Sequence, residues 1–157
     1  MNLRIEEHTG PREELRPLFA LAEDSAAQLD GYLHAGRVLV ATSASGDVVG
    51  HLQLVPGDGP GHAELKNMAV LPQFRGRGVG ARLVAAAVDL LAAEGQLLLA
   101  VATGAADVGN LRFYQRQGFR FRSVERDAFS PATGYPPGIT VDGIELRDRV
   151  WLDRPTS

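Results

Sequence analysis

The 157-residue chain is 45% apolar and 22% charged, a balance that excludes a fibrous or disordered polymer, and its length predicts a single domain over residues 1–157 around one buried core. It has no cysteine, which excludes a disulfide framework, a thiolate metal site and a cysteine nucleophile. The net charge of −3 gives no electrostatic reason to expect a nucleic-acid partner.

The N-terminal stretch carries Arg4, Glu6, Glu7 and His8 without a long apolar run, unlike a signal peptide. Leu3 and Ile5 alternate with charged neighbours, as in a short strand. Gly10-Pro11 predicts a helix start, followed by Leu15, Leu18, Phe19 and Ala22 at helical spacing. Ser25 with Gln28 resembles a capping box for a second short helix that ends near Gly36. Residues 37–42 and 48–55 read as a hairpin around Ser45-Gly46-Asp47, and the glycine- and proline-rich run 56–61 reads as a loop. A third strand over 62–71 leads into a stretch in which Gly76, Gly78 and Gly80 alternate with Arg77 and Val79.

That stretch opens an apolar-periodic helix, and Arg82, Asp89 and Glu94 break the long apolar region 79–101 into an amphipathic helix and a strand rather than a membrane span. A cytoplasmic protein without a membrane partner is expected. Gly95 ends the helix, and the continuous apolarity of 96–103 predicts a strand covered on both faces. Asp107 suits the N-cap of a helix over 108–117, with Gly118 at its left-handed exit. Phe119, Phe121 and Val124 alternate as a strand. Residues 127–138 are irregular, 139–146 form a small ribbon around Asp142-Gly143, and a last strand covers 147–152.

The chemistry concentrates in residues 71–83. Glycines there permit a tight turn and close backbone approach, the free N–H groups of a helix start face outward, and Arg75 and Arg77 add positive charge. This is a cradle for phosphate or pyrophosphate between a strand and a helix. Gly76-x-Gly78-x-x-Ala81 also satisfies the dinucleotide fingerprint. Its context does not: the next strand ends without an acidic residue for a ribose, and the preceding strand carries Glu64, Lys66 and Asn67 where a buried parallel strand should be apolar.

Gln73-Phe74-Arg75-Gly76-Arg77-Gly78, preceded by Asn67 to Pro72, resembles the Gln-x-x-Gly-x-Gly signature of the GNAT superfamily of acyl-CoA-dependent N-acetyltransferases. Asn110-Leu111-Arg112-Phe113-Tyr114 through Gly118-Phe119 is similar to that family's second motif. The resemblance spans nearly the whole chain. It implies an α/β GNAT fold, with a mixed, mostly antiparallel sheet of six or seven strands, about four helices and splayed central strands. It implies acetyl-CoA as co-substrate, with the pyrophosphate on Gln73, Phe74, Arg75, Gly76, Arg77, Gly78, Val79, Gly80 and Ala81. Met68, Ala69 and Val70 would pair with the pantetheine arm like an added strand, and Asn110 would contact the cofactor.

Acetyl transfer to an amine requires a neutral amine, a polarised carbonyl and a proton for the departing thiolate. Glu64 is the candidate general base, by its place on the third strand in the resemblance; the alternative is a solvated strand residue. Tyr114 is the candidate acid for the thiolate, against a packing aromatic beside Phe113. The Met68 N–H is the candidate oxyanion donor. A bulge expected in the strand leaves open which of Glu64, Lys66 and Met68 faces the cleft. His51 and His62 are candidate proton shuttles, and Arg112 and Arg116 candidate phosphate ligands. Glu23, Asp24, Asp30, Asp127 and Asp142, with Phe19, Tyr32, Phe129 and Tyr135, are the candidate acceptor pocket. No metal is expected. The expected activity is acetylation of a primary amine of a small molecule by direct attack; a protein or peptide acceptor and a non-catalytic acyl-CoA-binding regulator are the alternatives. The sequence does not decide between monomer and homodimer.

Overall fold

In the computed structural model, which describes residues 2–157, Leu3 and Ile5 lie on strand β1, Leu3–Glu7. The helix expected after Pro11 is divided into a 3-10 turn, Arg12–Leu15, and a short α1, Arg16–Ala20. Pro17 in the first turn of α1 has no N–H to leave unpaired there. Helix α2, Ala26–Tyr32, starts at Ser25, whose Oγ accepts from the Gln28 N–H at 3.1 Å. The reciprocal half of the capping box is missing, because the Gln28 side chain donates to the Thr133 carbonyl at 2.8 Å instead.

Strands β2, Arg37–Ser43, and β3, Val48–Pro56, form the expected hairpin, and β4, His62–Val70, follows the loop. Helix α3, Val79–Ala93, leads to β5, Leu98–Gly104, whose centre, Leu99 to Val101, is buried. Helix α4, Val108–Arg116, is capped by Asp107, which accepts from the Asn110 N–H at 2.9 Å. Gly118 leaves it at φ 90°, as expected. Strand β6, Arg120–Glu125, is followed by irregular chain with one 3-10 turn at Pro131–Thr133. The ribbon pairs β7, Thr140–Val141, with β8, Ile144–Glu145, around Asp142 and Gly143 at φ 49° and 82°. The last strand, β9, is Arg149–Pro155 and so runs further than expected.

Seven strands make one sheet in the order β1-β2-β3-β4-β5-β9-β6, antiparallel everywhere except between β4 and β5. With α1 to α4 this is the mixed, mostly antiparallel α/β architecture expected. Pairing of β4 with β5 stops at Leu65 opposite Val101, while β4 stays on β3 to Val70 and β5 stays on β9 to Gly104. The two central strands therefore splay into a V beyond Leu65.

A bulge in β4 sits at the base of this V. Gln53 faces Asn67 and Leu54 faces Leu65, so Lys66 is the extra residue. The insertion inverts the alternation: Ala63 and Leu65 pack under α3, whereas Asn67 turns to the opposite face and donates to the Phe19 carbonyl in α1 at 3.1 Å. Met68 packs on the α3 side, and Lys66 lies over the Tyr32 ring on the other. The open question about this strand is thus decided by one inserted residue.

Two cores flank the sheet. Leu83, Val84, Ala87, Val88 and Leu91 of α3 pack on Leu39, Leu52, Leu54 and Leu65, with Tyr114 and Phe119 continuing the cluster. Leu18, Phe19, Leu29 and Leu33 cover Val38 and Val40 on the other face. These interlocking leucines and valines fix both walls of the V, and truncating one to Ala costs about 2–5 kcal/mol.

Candidate active site

The V opens into a cleft of about 1370 Å³, room for a long co-substrate and an acceptor together. One end is the start of α3. Gly76 and Gly78 take φ of 75° and 79°, and a Cβ on either would meet open space, so glycine is used there for backbone freedom. Gly78 is the N-cap and no side chain caps the helix. Arg82 makes the first intrahelical bond, to Gly78 O at 3.1 Å, so the N–H groups of Val79, Gly80 and Ala81 remain free. An uncapped helix start beside Arg75 suits an anion. Gly80 serves closeness instead: a Cβ would lie 3.2 Å from Phe113 Cζ of α4.

The walls of the V supply backbone and side-chain groups. The Leu71 N–H bonds Val49 O at 2.9 Å, so by the alternation of an antiparallel ladder Asn67 and Ala69 also face β3, and Met68 and Val70 turn their N–H and C=O into the cleft. Arg75 Nε already donates to the Val70 carbonyl at 3.1 Å, which leaves Met68 as the open position. Opposite, the Asn110 amide donates to Thr103 Oγ1 at 3.2 Å and is held at the cleft edge. Tyr114 is 5% exposed and edge-on to Phe113 and Phe119, at 5.1 and 5.5 Å. Its hydroxyl makes no hydrogen bond among the described residues, and burial, reinforced by the Asp107 charge, holds its pKa above the usual tyrosine range.

The other end of the cleft collects Glu23, Asp24, Tyr32, Glu64, Phe129, Tyr135 and Arg149. Burial raises the Glu64 carboxyl above its ordinary range, against the opposing pull of Lys66. Asp24 is raised by desolvation and then by the charges of Glu23 and Asp107. Glu64 also borders a niche of about 10 Å³ with Asp58, His62 and Arg122, the room that one water needs.

His51 does not join the cleft. It is fully buried, stacked on Phe19 at 4.2 Å, with Nε2 2.8 Å from Asn67 Oδ1. Since Asn67 Nδ2 donates to Phe19 O and to the Tyr32 hydroxyl, Oδ1 must accept and His51 Nε2 carries the proton. Desolvation pushes its pKa down to about 4, so it is a neutral structural group rather than a shuttle.

Of the residues expected at the cofactor end, Met68, Ala69, Val70, Phe74, Arg75, Gly76, Gly78, Val79, Gly80, Ala81 and Asn110 line the cleft, as do Arg112 and Arg116. Gln73 and Arg77 stand outside the lining, and Arg77 lies over the Phe74 ring at 5.6 Å. Of Gln73, Arg75 and Arg77, Arg75 is therefore the one whose side chain lines the cleft. At the acceptor end, Asp30 is paired with Arg16 at 2.7 Å, Asp127 with Arg147 at 3.3 Å, and Phe19 is core. Sequence reasoning missed Thr103, Arg149 and Trp151. Only strand order brings them to the cleft, and it has no local signal. Among the described residues no cluster of His, Asp and Glu can hold a metal ion, and no helix is long and apolar enough to cross a membrane.

A splayed strand pair with free backbone groups, beside an uncapped helix start, suits a long ligand with an anionic end. The chain belongs to the Acetyltransferase (GNAT) family, whose model matches residues 3–119. The uncharacterized N-acetyltransferase YvbK of Bacillus subtilis is 31% identical over 153 residues, 96% of each chain. A Bacillus subtilis acetyltransferase solved in complex with CoA superposes with a TM-score of 0.87 at 30% identity, over 98% of this chain and 99% of that one. A GNAT family acetyltransferase from Elizabethkingia anophelis with acetyl-CoA bound gives a TM-score of 0.88 at 29% identity, over 98% of both chains. The protein is thus an acyltransferase with acetyl-CoA as co-substrate, and the free N–H groups of 79–81, the open space at Gly76 and Gly78 and the Met68 backbone fit that ligand.

Proposed function

We propose that the protein acetylates a primary amine of a small molecule by direct attack on acetyl-CoA, in one cleft that holds both substrates. When bound, the co-substrate supplies an activated thioester. Val79, Gly80 and Ala81 N–H groups with Arg75 hold its anionic end, and the Met68 N–H is the donor for charge that develops on the carbonyl oxygen. Glu64 takes the proton of the attacking amine, directly or through a water in the adjoining niche. Its raised pKa makes it a stronger base than an ordinary carboxylate. Tyr114, protonated at every working pH, donates toward the departing sulfur.

The observation that carries this reading is the arrangement of the cleft: an anion-binding helix start at one end, carboxyls of Glu64 and Asp24 at the other, and Tyr114 along the wall. Asp24 and Glu64 favour a cationic acceptor, and Phe129 and Tyr135 of segment 127–146 line the same cleft. The test is release of free CoA thiol from acetyl-CoA over a panel of small amines, basic amino acids and peptides. Thiol release with small amines supports the reading; turnover of peptides alone, or of nothing despite CoA binding, overturns it.

A further inference from the structure

Glu23 looks, from its sign and place, like a residue that attracts the acceptor's charge. Its hydrogen bonds assign it otherwise. The Tyr32 hydroxyl donates to Oε1 at 2.9 Å, the Tyr135 hydroxyl donates to Oε2 at 2.9 Å, and the Ser25 N–H lies 3.2 Å from Oε2. Each carboxylate oxygen is therefore occupied from within the protein. Both tyrosines are partly or fully buried and stay protonated, because desolvation and the Glu23 charge disfavour their anions, so each remains a donor.

These bonds link three separate parts of the chain. Tyr32 ends α2 and accepts from Asn67, the residue between the Lys66 bulge and Met68. Tyr135 belongs to the strap, residues 127–146, and packs edge-on to Phe129 at 4.9 Å. Arg149 of β9 lies over the Phe129 ring at 5.0 Å and pairs with Glu125 at 3.2 Å. The Gln28 bond to Thr133 fastens the same strap a second time. The result is a continuous belt across the acceptor end of the V, from β4 through α2 and the strap to β9, in which Glu23 joins Tyr32 to Tyr135.

We infer that Glu23 is a positioning residue: its carboxylate clasps the strap to α2 and so sets the wall against which the acceptor binds. It acts through Tyr32 and Tyr135 and does not touch the reacting atoms. The kinetic half of this inference rests on the amine-acetylation reading; the structural half does not.

Glu23→Gln tests it, because the amide keeps one accepting oxygen and replaces the other with a donor that faces a tyrosine hydroxyl. Amide hydrogen exchange across 128–146 should become about tenfold faster, equivalent to about 1.4 kcal/mol, with no acceptor present. The acceptor KM should rise about tenfold, with kcat and the acetyl-CoA KM within about twofold of wild type. Tyr135→Phe should reproduce both changes, and the double variant should add little to either single one, since all act on one link. Tyr135→Phe carries the test alone if Glu23→Gln fails to fold. Unchanged strap exchange overturns the clasp, and faster exchange with an unaltered acceptor KM overturns its role in binding. If the wild-type protein turns over no amine while exchange still accelerates, the proposed function falls and the clasp stands.

Discussion

Acidification should weaken the fold through His51. The ring is sealed in the α1/α2 core, its Nε2–H is spent on Asn67, and Nδ1 has no partner. A second proton would create a buried cation with an unsatisfied donor. From the ordinary imidazole value of 6.5, burial pushes the folded pKa down to about 4, a difference worth about 3 kcal/mol at full effect. The folded value lies below the unfolded one, so within that window the unfolded chain binds the extra proton and stability falls as pH falls. The contribution is intact above pH 6.5 and gone near pH 4, with about 2 kcal/mol already lost by about pH 5. Urea unfolding of wild type and His51→Gln at about pH 7.5, 6, 5 and 4 measures it, because carboxylate titration is common to both and cancels in the difference. The wild type should lose its advantage over the variant progressively across the window. Parallel stability curves would refute the buried neutral histidine.

Tyr114→Phe keeps the ring in its aromatic cluster and removes only the hydroxyl, so kcat should fall about 100-fold with CoA affinity held; a rate equal to wild type sinks the acid assignment. The Glu64 carboxyl has a raised pKa, so the ionised base is lost as pH falls through a value above the ordinary carboxylate range, and the acidic limb of kcat/KM should lie there. Glu64→Gln should lower the rate and abolish that limb, and superimposable profiles would count against the base. Gly78→Ala forces a Cβ into φ 79°, at a cost of about 1–2 kcal/mol that should lower Tm by about 3–6 °C and weaken CoA binding; an unchanged Tm and Kd would show that the turn does not need glycine.

The elements legible in the sequence were those with local causes. The Asp107 cap and the Gly118 exit bound α4 as expected, because each acts on the adjoining turn of chain. The first helix broke where Pro17 re-started it, and the Ser25 box closed on one side only, since Gln28 found a tertiary partner in Thr133. His51 reads as a titratable strand histidine until Phe19 is seen stacked on it.

The sequence by itself determined the glycine-rich helix start that lines the cleft. Glycines at positive φ, an uncapped helix start and the neighbouring arginine all lie within a few residues of one another, so their pattern survives in one dimension. The part of the cleft around Glu23 and Lys66 was decided only by tertiary structure. The bulge at Lys66 sets which face Asn67 and Met68 take, and the clasp joins Glu23 to Tyr135, 112 residues further on. An inserted residue shifts the face of every position after it, and a hydrogen bond between distant segments leaves no spacing to read, so both depend on how the whole sheet pairs.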